Sequence, residues 1–225
     1  MKKSFLILIC LTLIACGAPT APPTQLPTDT PAPTSISTFT PIPTFTHTQS
    51  PTQTSFPTSA PDFCADVRGS DLIKSLSEAI ANKDGELLAS LVSPSYGLDI
   101  RFYRDGNVIN YDIEHAEFVF ETTFQADWGL SFGSGEPTIG SFQEIILPSL
   151  QQVFTPASLV VCNQIQTGGV TYFPEWQYPD MNFYSVYYVG TEEFGNMDWQ
   201  TWAVGMENVA GKPYLAALSH FVWEP

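Results

Sequence analysis

Phe183-Tyr-Ser-Val-Tyr-Tyr-Val189, Trp199-Gln-Thr-Trp-Ala-Val-Gly-Met-Glu-Asn208 and Tyr214-Leu-Ala-Ala-Leu-Ser-His-Phe-Val-Trp223 are the runs that decide the fold. Each is rich in Val, Tyr, Trp or Thr, the residues that fit a pleated, half-buried surface. Ala210-Gly211 between the last two predicts a hairpin, and Ser158 to Gln166 supplies an earlier strand of the same character. Strand alternation puts Tyr184 and Tyr188 on one face and Tyr187 on the other, and it separates Trp199 from Trp202 in the same way. Either aromatic side chains stand free on one face of the sheet, or both faces are covered. In the first case Trp199, Trp202, Tyr187 and His220 are candidate ligand-binding residues, able to stack on sugar rings or peptides. In the second they fill the core.

Upstream of these strands the period changes. Leu72, Ile73, Leu76, Ala79 and Ile80 follow helical spacing, continued by Leu87, Leu88, Leu91 and Val92. Ser70 and Asp71 offer the N-cap, Asp84-Gly85 the break and Pro94 the stop. Ile100 to Tyr111 alternates around Asp105-Gly106, a hairpin signal. Asp112 can cap a second helix carrying Ile113, Ala116, Val119, Phe120 and Phe124 on one side. Ser141-Phe-Gln-Glu144 is a capping box for a third, with Phe142, Ile145, Ile146, Leu150 and Val153 inward. Helices early and strands late predict an α+β fold, its helices packed on one face of a curved antiparallel sheet.

The first residues have another purpose. Lys2 and Lys3 precede an apolar run from Phe5 to Ala15. That run is shorter than the roughly 20 residues needed to span a bilayer, and it has the form of a signal peptide over residues 1–15. Leu13-Ile-Ala-Cys-Gly17 resembles the lipobox of bacterial lipoproteins. The resemblance implies cleavage before Cys16 and a diacylglycerol on its thiol, so that the membrane is a partner through that lipid. It implies an extracytoplasmic location, on the cell membrane or on the outer membrane of a cell that has two. Cys10 leaves with the leader. Residues 17–61 are dominated by Pro, Thr and Ser. Proline removes backbone donors and fixes φ, and the few apolar groups cannot offset the entropy of ordering. Residues 16–61 are therefore expected to form a lipidated, disordered tether, with a reach on the order of 100 Å if extended.

The globular part is residues 62–225, a length suited to one domain. Two of the 8 basic residues, Lys2 and Lys3, and one of the 23 acidic residues, Asp29, lie before it; 6 against 22 remain, a charge near −16. That sign argues against nucleic acid and anionic lipid as partners. Cys64 and Cys162 are its cysteines. In an oxidising compartment they are expected to form a bridge closing a loop of about a hundred residues, the alternative being two buried thiols.

Ala79-Ile-Ala-Asn-Lys-Asp-Gly-Glu-Leu-Leu-Ala-Ser-Leu-Val-Ser-Pro94 resembles the first-helix signature of NTF2-like (SnoaL-like) domains. That resemblance implies a cone-shaped fold ending in long antiparallel strands, and a family that includes isomerases, dehydratases and non-catalytic members. No catalytic residue is carried over from it, because fold analogy alone assigns no activity.

The search for chemistry finds no His-x-x-x-His, no zinc-type cysteine spacing, no phosphate loop and no Gly-x-Ser-x-Gly. His115 stands beside Glu114 and Glu117. Glu192, Glu193 and Asp198 lie on a loop before Trp199 and are the best-placed carboxylates for glycoside chemistry. No catalytic residue, metal ligand or cofactor is assigned. The expected function is a membrane-anchored, surface-displayed lipoprotein with a non-catalytic recognition or envelope-associated domain, its ligand a glycan or a peptide. One alternative is an NTF2-like enzyme of isomerase or hydrolase type with a small-molecule pocket. Another is a structural envelope protein without a small ligand. A deep apolar pocket at His220 would favour the enzyme; a sheet plugged by its own side chains would remove it.

Overall fold

The computed structural model describes residues 62–225. The expected leader, the lipid on Cys16 and the tether lie outside the described residues. Helix α1 spans Val67–Asn82 and α2 Gly85–Leu91; strand β1 is Leu98–Arg101, β2 Val108–Tyr111, and α3 Ile113–Ala116. A hairpin of β3, Ala126–Leu130, and β4, Pro137–Gly140, leads to a π-helical turn, Phe142–Ile146, and α4, Leu147–Val153. Strands β5 (Leu159–Cys162), β6 (Asn182–Tyr188), β7 (Gln200–Val209) and β8 (Lys212–Val222) complete the chain. The fold is α+β, with helices packed against a six-stranded sheet of order β2-β1-β8-β7-β6-β5.

The sheet is mixed. All neighbouring strands run antiparallel except β1 and β8, which pair in parallel through Asp99 opposite Ala217 and Arg101 opposite Ser219. A parallel pair needs a long connection, and here most of the domain separates the two strands. The first and last parts of the fold thus meet in the middle of the sheet.

Helix α1 starts earlier than Ser70. Asp66 is the cap, accepting from the Arg68 N–H at 3.0 Å. Ser70 Oγ instead donates to Val67 O within the helix, and Asp71 pairs with Lys74 on the exposed face. Leu72, Ile73, Leu76, Ala79 and Ile80 are buried as the spacing requires. The capping box holds in both directions: Glu144 N–H donates to Ser141 Oγ at 3.2 Å, and Ser141 N–H to the Glu144 carboxylate at 2.8 Å. The second predicted helix is one turn long. It tightens into i→i+3 bonds from Phe118 and Val119, which bury Ala116, Val119 and Phe120 but leave Ile113 and Phe124 exposed.

Both faces of the sheet are covered. On the helical side Trp128, Trp202, Phe142, Ile146 and Leu150 are each no more than 1 % exposed. On the other side Phe183, Trp199, Ala203 and Phe221 form a smaller core, roofed by Ile165, Tyr172 and Trp176 from the irregular segment between β5 and β6. Two glycines let this roof approach. A Cβ on Gly168 would sit 2.3 Å from the Trp199 ring, and one on Gly205 would sit 2.8 Å from the Trp176 ring.

Candidate functional site

The four residues singled out from the sheet do not share a surface. Tyr187 packs with Trp199 on the roofed face, their ring centroids 6.3 Å apart. Trp199 is buried there and its Nε1–H donates to Gly169 O at 3.1 Å. Trp202 and His220 lie on the helical face, where both are buried. The imidazole packs against both Phe102 and Trp202, nearly parallel to each, with centroid separations of 5.0 and 4.6 Å. Neither Trp199 nor Trp202 offers a free ring face for stacking a ligand.

His220 is nonetheless the most chemically suggestive group on that face. Its Nδ1 is 3.1 Å from Phe102 O, an obligate acceptor, so Nδ1 carries the proton. Nε2 is then an acceptor, with Ser149 Oγ and the Gln200 amide each 3.1 Å away. Gln200 Oε1 accepts from Ser149 Oγ at 2.7 Å, and its NH2 donates to Gln152 Oε1 at 2.8 Å. Ser149 Oγ in turn accepts from Trp202 Nε1–H at 2.9 Å. A serine–histidine pair suggests nucleophilic catalysis, but three features oppose it. The ring is oriented by a carbonyl rather than a carboxylate. Burial pulls its pKa down to about 4, which makes it a weak base near neutrality. The residue is only 5 % exposed, which gives a substrate little access to the ring. The network ties α4 to β7, β8 and the loop after β1.

A measurable consequence follows from that burial. The folded protein holds His220 neutral, while an unfolded chain takes up its proton near the ordinary value of 6.5. Stability is therefore full above pH 6.5 and falls as the pH drops toward 4, by about 3 kcal/mol in all. Urea midpoints measured between pH 7 and 5 should show the first part of this loss, before most carboxylates titrate. In His220→Gln the slope over that window should flatten; an unchanged slope would mean that His220 is not its source.

The other polar groups named from sequence have local partners. Asp198 accepts from Thr191 N–H at 2.7 Å and from its hydroxyl at 3.0 Å, bracing the loop that carries the exposed Glu192 and Glu193. His115 pairs with Asp112 at 2.7 Å on the surface. Among the described residues no three His, Cys, Asp or Glu side chains are placed to hold a metal ion. Cys64 and Cys162 form a disulfide with a Cα separation of 5.8 Å.

An open cleft of about 890 Å³ lies at the opposite end of the long strands. Its walls come from four places: the β7–β8 hairpin (Met206, Glu207, Gly211, Pro213), the segment before β6 (Gln177, Tyr178, Asp180, Met181), Tyr96, and the start of the domain (Phe63, Asp66, Arg68). Asp99 on β1 organises two of them. Its Oδ2 accepts from Tyr96 OH at 2.9 Å and from Tyr178 OH at 3.1 Å, while Oδ1 accepts from Asn110 at 2.8 Å. Burial and the Asp99 carboxylate push both phenols up, so they remain neutral donors. Glu207 accepts from Ser93 and, at 2.8 Å, from Ser95. Arg68 is fully engaged: Nε and Nη2 bond Asp66, and Nη1 donates to Gly211 O. The cleft therefore presents fixed tyrosines and carboxylates with its one lining guanidinium already neutralised. No protein-family model, no curated protein and no solved structure matches the chain.

Proposed function

We propose that the chain is an exported, lipid-anchored protein whose folded part is a non-catalytic recognition module, and that it reads its ligand in the cleft between Tyr96, Tyr178 and the β7–β8 hairpin. The carrying observation is the contrast between the two ends of the sheet. The helical side, where an NTF2-like enzyme would keep its pocket, is filled by Trp128, Trp202, Phe142 and Leu150. At the far end an open cleft carries side chains locked in place before any ligand arrives, and preorganisation of this kind lowers the cost of binding. The helix broken before Asp84 and the long β7–β8 hairpin support the NTF2-like resemblance, which supplies a scaffold and no chemistry. The lipobox supports anchoring through Cys16, and the disulfide fits a compartment outside the cytoplasm.

Two measurements test the reading. Mass spectrometry of the mature chain should show residues before Cys16 removed and the thiol acylated; an intact leader or a free thiol would end the anchoring half. Titration of intrinsic fluorescence with a panel of glycans and peptides should give a saturable signal, because Tyr178 on the cleft wall packs 5.0 Å from the Trp176 ring. Tyr178→Phe, which deletes one hydroxyl, should weaken that ligand by about three- to tenfold. Silence across the panel, or binding indifferent to Tyr178 and Tyr96, would favour the structural envelope role instead.

A further inference from the structure

We infer that the ligand of this cleft is a basic peptide, an extended segment whose lysine or arginine side chains lie on the cleft floor; the inference rests on the recognition reading above. Charge comes first. Of the ionisable groups lining the cleft, Arg68 is spent on Asp66 and Gly211 O, whereas Asp180 and Glu207 form no ion pair among the described residues. Asp99 behind the tyrosines forms none either. The charged groups of the lining sum to a net negative charge, which disfavours an anionic ligand. The domain charge near −16 extends the same preference to long range and would speed the approach of a cationic partner.

The apolar lining narrows the choice among cations. Met181 and Met206, two of the protein's 4 methionines, line the cleft beside Phe63. Methionine is flexible and polarisable and suits surfaces that must accept varied side chains. A lysine or arginine has an apolar stem of three or four carbons under its charge, so the stem can cover the half-buried Met181 and Phe63 while the head reaches Glu207 or Asp180. Tyrosine ring faces add cation–π attraction, and the bonds to Asp99 hold both hydroxyls so that the rings need not be ordered on binding. On the same wall the amide oxygen of Gln177 is buried with no hydrogen-bond donor, an acceptor that a peptide N–H can satisfy once the wall adjusts. A sugar ring would use the tyrosines but would leave the methionine floor and the unpaired carboxylates without partners.

The test uses the full chain in detergent and three probes: tetralysine amide, its fully Nζ-acetylated form, and tetra-N-acetylglucosamine. Tetralysine should bind saturably and at least tenfold tighter than the acetylated peptide, and it should weaken as salt shortens the Debye length. Asp180→Asn and Glu207→Gln should each weaken it by about three- to tenfold; glutamine at 207 still accepts from Ser93 and Ser95. Glu192→Gln with Glu193→Gln, on the exposed loop before β7, should leave it unchanged. Equal binding of the acetylated peptide, or equal loss from the Glu192 and Glu193 changes, would overturn the inference in favour of an unspecific acidic surface. Binding of the neutral oligosaccharide alone would overturn it too, while leaving the recognition reading intact. Silence with all three probes and across the wider panel would remove both.

Discussion

Gly85→Ala lowers the stability of the domain by about 3 kcal/mol, although alanine is the better helix former by roughly 1 kcal/mol. Asp84-Gly85 marks the helix break in the sequence, and glycine there suggests a residue freed to turn. The turn is made elsewhere. Lys83 adopts the left-handed conformation, φ 54°, that ends α1, and Asp84 caps α2 through its bond to Leu87 N–H at 2.9 Å. Gly85 is the first residue of α2, and a Cβ there would lie 1.7 Å from the carbonyl oxygen of Glu117. The obstacle is backbone, so no rotamer change relieves it. Helix α2 must lift away from the chain after α3, and the burial of Leu88 and Ala89 goes with it. Lys83→Gly, by contrast, removes the strain at the true turn and should raise stability by about 0.5–1 kcal/mol. Urea unfolding of the two variants distinguishes these roles. If Gly85→Ala unfolds at the parental midpoint, the close approach of α2 to Glu117 is not part of the folded state in solution.

The same pair of residues shows what sequence can and cannot disclose. Signals confined to a few neighbours were legible: the Ser141–Glu144 box, the Ala210-Gly211 hairpin and the alternation of Tyr184, Tyr187 and Tyr188 between faces. Signals that depend on a distant partner were not. Nothing near Asp66 marks it as a better cap than Ser70, because its advantage includes holding Arg68, whose far end reaches the turn at Gly211. The β3–β4 hairpin carries no such local signal: Gly133-Ser134-Gly135 at its turn gives no hint that Trp128 is buried and bonded to Gly140 O at 3.0 Å. Alternation correctly divided the aromatics between two faces but could not say whether the second face was free. That depends on the segment between β5 and β6, which has no periodicity and is placed by Trp176 against Gly205. The cleft was invisible for the same reason. Asp99 and Tyr178 meet across 79 residues of chain, and Tyr96 gains importance only when β1 docks beside β8.

Replacing both bridge cysteines, Cys64→Ser with Cys162→Ser, should destabilise the domain by about 4–5 kcal/mol, the chain-entropy value for a loop of 98 residues. Domains of this kind are stable by about 5–15 kcal/mol in all, so the bridge can decide whether the fold persists. Its position adds a local effect. Cys162 ends β5, an edge strand paired only with β6, and Cys64 lies in the short turn that precedes α1. Without the bridge neither segment has another covalent hold, and β5 should exchange its amide protons first. Phe63, next to Cys64, lines the cleft and packs on Tyr184 at 5.3 Å. Loosening it should weaken any ligand of the cleft while the His220 network, on the other side of the sheet's centre, keeps its pH dependence. Thiol reductant added to the native chain should reproduce both changes, and oxidation should reverse them. A reduced protein that unfolds within 1 kcal/mol of the oxidised one would mean that packing alone holds these segments, and that the fold owes little to an oxidising compartment.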